Sequence, residues 1–276
     1  MPGAGWVQPM LRGVLKLEKQ LMLFVLSGLF VGFVVGLTGV GGGSLMTPIL
    51  VLLFGVHPAM AVGTDLIYAA VTKSVGTLVH GLKRSVAWRV TGALALGSIP
   101  ASLATVMWLG HTGPLTAGTS ALITTVLGYA LLLTSGAILL RKHIRTFATS
   151  GAYTIAPTTR FALTVLTGAA LGVLVSLSSV GAGALGVTAL ILLYPEMPTS
   201  RIVGSDIAHA VPLTLIGGLG HWMIGLVDFS TLGLLVTGSI PGIVLGSLLA
   251  PRMPDFALRS ALAAVLIVIG ARLVLA

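Results

Sequence analysis

Apolar stretches long enough to cross a bilayer recur along this chain from about Leu21 to Leu275, and that recurrence constrains the fold more than any motif does. A helix spanning the hydrocarbon core needs about 20 apolar residues. In lipid every backbone polar group must be paired internally, so the choices are helical bundles and closed barrels. The runs here are continuous, whereas barrel strands alternate. Charged residues make up 8% of the chain, against about 25% in soluble domains. The sequence therefore predicts an all-α polytopic membrane protein. Glycine, at 37 of 276 residues, suits helices that pack closely where no water drives them together.

The net charge of +9 does not point to nucleic acid. The basic residues fall mostly in short hydrophilic gaps, as Lys and Arg do beside membrane spans. There is no cysteine, which excludes disulfides, thiol catalysis and thiolate-bound metals. Residues 1–10 lack a cleavable-signal pattern, so insertion is expected to use the first hydrophobic helix.

The chain contains an internal duplication. Val40-Gly41-Gly42-Gly43-Ser44-Leu45 matches Val180-Gly181-Ala182-Gly183-Ala184-Leu185, and Val62-Gly63-Thr64-Asp65 matches Val203-Gly204-Ser205-Asp206. His80 matches His221, and Gly97-Ser98-Ile99-Pro100 matches Gly238-Ser239-Ile240-Pro241. The first pair is offset by 140 positions (Val40 to Val180) and the rest by 141 (His80 to His221). Four landmarks in one order at one spacing define two repeats, 21–140 and 161–276, after an N-terminal segment 1–20 and around a basic linker 141–160.

Each repeat is expected to hold a glycine-containing helix (21–37; 161–177), a glycine-rich break, and an apolar segment too short to span (45–54; 185–194). Three long helices follow in each: 59–81, 88–109 and 115–140, then 201–224, 229–250 and 256–275. The short segments read either as re-entrant hairpins or as crossings. Placing the linker (Arg141, Lys142, His143, Arg145, Arg160) in the cytoplasm also places Lys83, Arg84 and Arg89 inside. Arg252 and Arg259 follow if the second repeat is inverted, and the loop around Asp228, without Lys or Arg, falls outside. That scheme leaves Arg12, Lys16 and Lys19 outside. A parallel repeat would misplace Arg252 and Arg259 instead, and inversion is the preferred reading.

Two constellations could carry chemistry. The first is the pair of breaks. Irregular backbone at membrane depth survives inside protein or beside a water-filled cavity. A helix starting at Ser44 would point free N–H groups at that cavity, an anion site in waiting. Gly41, Gly42, Gly43 and Ser44 are candidates in the first repeat, and Ser178, Ser179, Gly181 and Gly183 in the second. A close-packed glycine face is the competing explanation. The second constellation is polar: Thr64, Asp65, Lys73 and His80 in one repeat, Ser205, Asp206, His209 and His221 in the other. Ionisable groups inside membrane helices are costly and generally face an interior pathway. Lys73 and His80 share a helix face, with Asp65 about 60–80° around. Lys73 reads as an anion contact or gate, and its counterpart is Thr214. The three histidines are candidates for proton coupling or gating, or for hydrogen bonding at the interface. Thr64 and Ser205 could equally cap helices. Pro100 and Pro241 are expected to kink their helices.

Neither a zinc-protease helix nor a nucleophile elbow is present. An intramembrane aspartyl enzyme, with Asp65 and Asp206 meeting across the repeats, is the rival from another class.

Gly36-Leu37-Thr38-Gly39-Val40-Gly41-Gly42-Gly43-Ser44 with Pro48, Ala61-Val62-Gly63-Thr64-Asp65, His80 before Lys83-Arg84, and the two Gly-Ser-Ile-Pro steps together resemble the TauE/SafE sulfite exporter family over about 21–275. The resemblance implies a multi-pass transporter of the bacterial plasma membrane that moves small sulfur-containing anions such as sulfite or sulfonates. Ala182 and Ala184 interrupt the second glycine run, so the halves need not contact substrate equally. The expected partners are a small anion and the bilayer, with room for a coupling proton or cation and for a homodimer. No nucleic acid, metal or organic cofactor is expected. An anion channel of the same architecture, or a carrier of other small organic anions, is the alternative.

Overall fold

The computed structural model describes residues 7–38, 43–82, 85–151, 153, 155–249 and 255–275. Every regular element among them is helical: α1 (Val7–Thr38), α2 (Gly43–Leu52), α3 (Pro58–Leu82), α4 (Trp88–Thr112), α5 (Ala117–Thr149), α6 (Pro157–Ser178), α7 (Ala184–Leu193), α8 (Thr199–Met223), α9 (Phe229–Leu249) and α10 (Asp255–Leu275). Among the described residues, seven helices are long and apolar enough to cross a membrane, and they lie in α1, α4, α5, α6, α8, α9 and α10. The short segments are α2 and α7, ten residues each. At 1.5 Å per residue they reach about half way through a bilayer core.

The local sequence explains several boundaries. Pro157 sits in the first turn of α6 after an extended Ala156, where its missing N–H costs nothing. Gly113 ends α4 in the left-handed conformation. Thr116 opens α5 by accepting the Thr119 amide at 3.3 Å. Two helices run further than the sequence reading placed them. α1 begins at Val7, so the described part of the N-terminal segment is continuous with it. α5 continues through the basic stretch to Thr149, because nothing breaks a helix before Gly151 (φ 73°).

The bundle is held by contacts that come in exchanged pairs. α1 packs on α9 along a glycine seam: a Cβ on Gly28 would lie 2.2 Å from the Leu235 carbonyl oxygen, and one on Gly32 2.4 Å from that of Ser239. α6 packs on α4 in the same way: a Cβ on Gly168 would lie 2.1 Å from the Leu94 oxygen, and one on Gly172 2.4 Å from that of Ser98. A Cβ on Gly97 would lie 1.9 Å from the Val165 oxygen, and one on Gly238 1.9 Å from that of Val25. These contacts between the halves recur with the halves swapped, the reciprocity that a two-fold relation produces. Smaller details obey it too. Phe24 stacks on Phe54 at 4.0 Å, and at the equivalent places Thr164 and Tyr194 share a hydrogen bond of 2.9 Å.

The contacts also fix directions. Along α1 and α9 both residue numbers rise together, as they do along α4 and α6. α3 and α8 run oppositely: Gly63 meets His221, Ile67 meets Gly218, and the Thr77 hydroxyl donates to the Ile207 carbonyl. α5 and α10, sharing a close approach at Gly128 and Gly270, complete the bundle. Met46, Leu50, Tyr68, Leu127, Leu131 and Leu266 fill the core between α2, α3, α5 and α10.

Candidate functional site

The antiparallel crossing of α3 and α8 brings the polar candidates together. Lys73 lies near its middle, between the levels of Ile67 and Thr77. Its ammonium donates to the Ala182 carbonyl at 3.0 Å, so the lysine of one repeat ends in the break of the other. Asp65 and Asp206, both fully buried, lie within its electrostatic reach. Asp65 sits eight residues before Lys73, about 12 Å of rise. Asp206 neighbours Ile207, whose partner Thr77 is one helical turn beyond Lys73. The lysine thus stands between the two carboxylates in depth.

The carboxylates are seated at the starts of the short helices. Asp65 Oδ2 accepts from the Thr47 amide at 3.2 Å and from the Thr47 hydroxyl, in the first turns of α2. Asp206 lies against α7, where a Cβ on Gly186 would fall 1.9 Å from its Oδ1. The Gly183 amide is close to Asp206, yet neither Asp206 oxygen closes a hydrogen bond, and Asp65 Oδ1 is likewise unpaired. Buried polar atoms without partners are rare in proteins.

The second break runs between them. Ser179 is the only non-glycine with positive φ among the described residues (56°), and Gly181 (121°) and Gly183 (134°) follow in conformations that side chains resist. The Ser179 hydroxyl faces Asp65 without closing a bond. Ser178 closes its own turn, donating to Leu174 and accepting the Val180 amide. In the first break Gly41 and Gly42 lie outside the described residues. Gly43 begins α2, and Ser44 is buried in its first turn.

Thr64 and Ser205 turn away from this cluster. The Thr64 hydroxyl accepts the Asp228 amide at 3.0 Å, just before α9. The Ser205 hydroxyl accepts the Ala87 amide at 2.8 Å, just before α4. These bonds are mirror partners under the repeat, and each ties one half to the other. His209 Nε2 meets Ser98 Oγ at 2.8 Å, and its Nδ1 is unpaired. His221 Nδ1 bonds its own helix at Gly217 O, 2.9 Å. His80 lies in α3 with a side chain outside the described residues.

Tyr68 was not among the candidates. It is fully buried and its hydroxyl donates to Ser239 Oγ at 2.6 Å. Under the repeat Tyr68 corresponds to His209 and Ser239 to Ser98, so the two Gly-Ser-Ile-Pro steps each receive a polar side chain three residues after an aspartate. Aligning the repeats past the Asp landmark would have found it. Pro100 and Pro241 lie inside α4 and α9, as expected.

Long apolar helices enclosing a charged, fully buried centre define a multi-pass membrane protein of the transporter class. The chain belongs to the TauE/SafE sulfite exporter family, whose model matches residues 24–273. It is 38% identical over 251 residues to the "Probable membrane transporter protein YjnA" of Bacillus subtilis (strain 168), covering 91% of this chain and 98% of the relative. A "Probable membrane transporter protein" of Xylella fastidiosa (strain Temecula1 / ATCC 700964) is 30% identical over 237 residues, 85% of this chain and 87% of that one. "Probable membrane transporter protein YdhB" of Bacillus subtilis (strain 168) is 28% identical over 247 residues, 87% and 95% of the two chains. No solved structure matches.

Proposed function

We propose that this protein is a secondary carrier of small sulfur-containing anions, sulfite or organosulfonates, in a bacterial plasma membrane. The observation that carries the reading is the Lys73 ammonium, buried mid-way along the α3/α8 crossing and held by the break of the opposite repeat. A cation is scarce at such depth and marks an anion path. The anion would replace the Ala182 carbonyl on Lys73. It would take further donors from the Ser179 hydroxyl and from the amides that open α2 and α7. The family's description as sulfite exporters supports the substrate class.

The repeats are read as inverted. α3 and α8 are equivalent helices packed antiparallel, so the operator relating them lies across the helix direction, in the plane of a membrane that both helices cross. The same reading puts the basic linker and Arg89 on one side and Asp228 on the other.

Calorimetric titration of the purified chain against sulfite, sulfate, sulfonates and carboxylates tests the proposal. Lys73→Met is expected to weaken binding of the sulfur anions at least tenfold, as a buried charge losing its partner costs about 3–5 kcal/mol. Lys73→Arg should bind poorly too, because a planar fork does not replace a compact ammonium. Near-native affinity in a Lys73→Met protein with unchanged thermal stability would remove Lys73 from the site. Saturable counterflow in proteoliposomes separates a carrier from a channel.

A further inference from the structure

The two buried aspartates are equivalent by position and unlike in environment, and the difference has a chemical consequence. Asp65 is anchored by two donors from Thr47. Asp206 is fully buried with both oxygens unpaired, and its one neighbouring cation is Lys73. Resting on the anion reading of Lys73, we propose that Asp206 is a proton-binding site that couples one proton to each anion carried.

Lys73, Asp65 and Asp206 together carry one net negative charge when all are ionised. Part of it is offset by the N-terminal ends of α2 and α7, on which the carboxylates sit. An arriving monoanion takes the ammonium from the Ala182 carbonyl and neutralises the one cation whose field compensates Asp206. Once the anion holds Lys73, the Asp206 carboxylate has no cation and no closed hydrogen bond, a state that a low-dielectric interior does not tolerate. A proton from the aqueous phase then adds to an Asp206 oxygen. Lys73 keeps its own proton and only changes partner, and the cluster's net charge is unchanged. On release of the anion the proton leaves, and Lys73 returns to the Ala182 carbonyl with its field again on Asp206. The anion therefore crosses with one proton, as an electroneutral pair.

The surroundings leave few rival proton sites. From α3, Lys73 and the anchored Asp65 face the cluster. On α8 itself, His209 is tied to Ser98 of α4 through Nε2 and leaves Nδ1 unpaired, His221 sits near the far end bonded to Gly217, and Arg201 lies at the exposed start of the helix. α7 carries no titratable residue, and α6 carries only Arg160, paired with Glu196. The titratable residues of α4 are Arg89 and His111, at its two ends, and those of α5 (Tyr129, Arg141, Lys142, His143, Arg145) are exposed or partly so.

The test is titration of the purified full chain with methanesulfonate, whose anion takes up no proton itself and on which the proton count is read; sulfite, a proton acceptor in its own right, is titrated for affinity alone. Buffers of different ionisation enthalpy count the protons. Wild type is expected to take up about one proton per anion, with the apparent Kd rising about tenfold per pH unit where empty Asp206 is ionised. Asp206→Asn, whose amide mimics the protonated acid, should bind with no proton uptake and a flat pH profile. Asp65→Asn should keep the uptake. Binding by wild type without proton uptake overturns the coupling and leaves the anion reading standing. Uptake surviving in Asp206→Asn, or vanishing only in Asp65→Asn, overturns the assignment to Asp206. Should Asp206→Asn not fold, infrared difference spectra of wild type decide: a carboxylic-acid C=O band must appear on adding methanesulfonate or sulfite, and its absence overturns the proposal. If neither anion binds wild type, the anion reading itself fails and the coupling with it.

Discussion

Single residues in this protein divide into those that hold the halves together and those that hold charge. The Thr64 and Ser205 hydroxyls belong to the first kind. Thr64→Val and Ser205→Ala each strand a backbone amide, and each is expected to lower stability by about 1–3 kcal/mol. Thermal unfolding in detergent measures it, and Thr64→Ser should recover most of the loss. Asp228, in the loop before α9, shows the second kind outside the membrane. Partial burial works against its charge, but donors from Ser230 and Thr231 outweigh that and hold the carboxyl below its ordinary range. A depressed carboxylate stabilises the fold above the unfolded value, about 3.9, and loses that contribution as pH falls through the folded value. The stability gap between wild type and Asp228→Asn should therefore be widest at neutral pH and close on acidification, which melting curves across pH would reveal.

Among elements, the glycine seams are the strongest constraint. Gly97→Ala and Gly238→Ala each put a Cβ 1.9 Å from a facing carbonyl oxygen. Backbone cannot yield there without separating α4 from α6 or α9 from α1. Both variants should lose about 3 kcal/mol or more, the upper end of what overpacking costs. Gly92, where an added Cβ would meet nothing within 4 Å, is the control. Gly92→Ala should be neutral or gain up to about 1 kcal/mol of helix propensity. Equal losses at Gly92 and Gly97 in detergent melts would mean that the seams are not the source. The short helices are held differently: α2 by the Asp65 carboxylate on Thr47 and the Phe24–Phe54 stack just past its end, α7 by the Tyr194–Thr164 hydrogen bond just past its end.

At the scale of the whole molecule, the opposed directions of α3 and α8 predict sidedness. The absence of native cysteine makes single-cysteine labelling clean. Lys142→Cys in the linker and Ser230→Cys beside Asp228 should react with a membrane-impermeant maleimide from opposite faces, Lys142→Cys from the cytoplasm. Labelling of both from one face would rule out the inverted arrangement. On the linker side, Arg160 pairs with Glu196 while lying 5.3 Å over the Tyr194 ring, and Arg145 bonds Thr199. These contacts tie the α7–α8 connection to the linker and keep that end of the bundle together.

The sequence by itself determined the membrane class, the helices, the two half-length segments and the pairing of landmarks across the halves. All of these follow from local apolar length and from repetition, which are readable one residue at a time. Lys73, Asp65 and Asp206 were legible as costly charges, since depth in an apolar helix is a property of sequence. What those charges meet was decided only by tertiary structure. That Thr64 and Ser205 reach across to the other half, that Tyr68 stands where His209 does, and that Lys73 ends on Ala182 all depend on α3 and α8 crossing antiparallel. The crossing is set by packing between residues more than a hundred positions apart. No local propensity encodes it; close glycine seams between α1 and α9 and between α4 and α6 leave the central pair one way to meet.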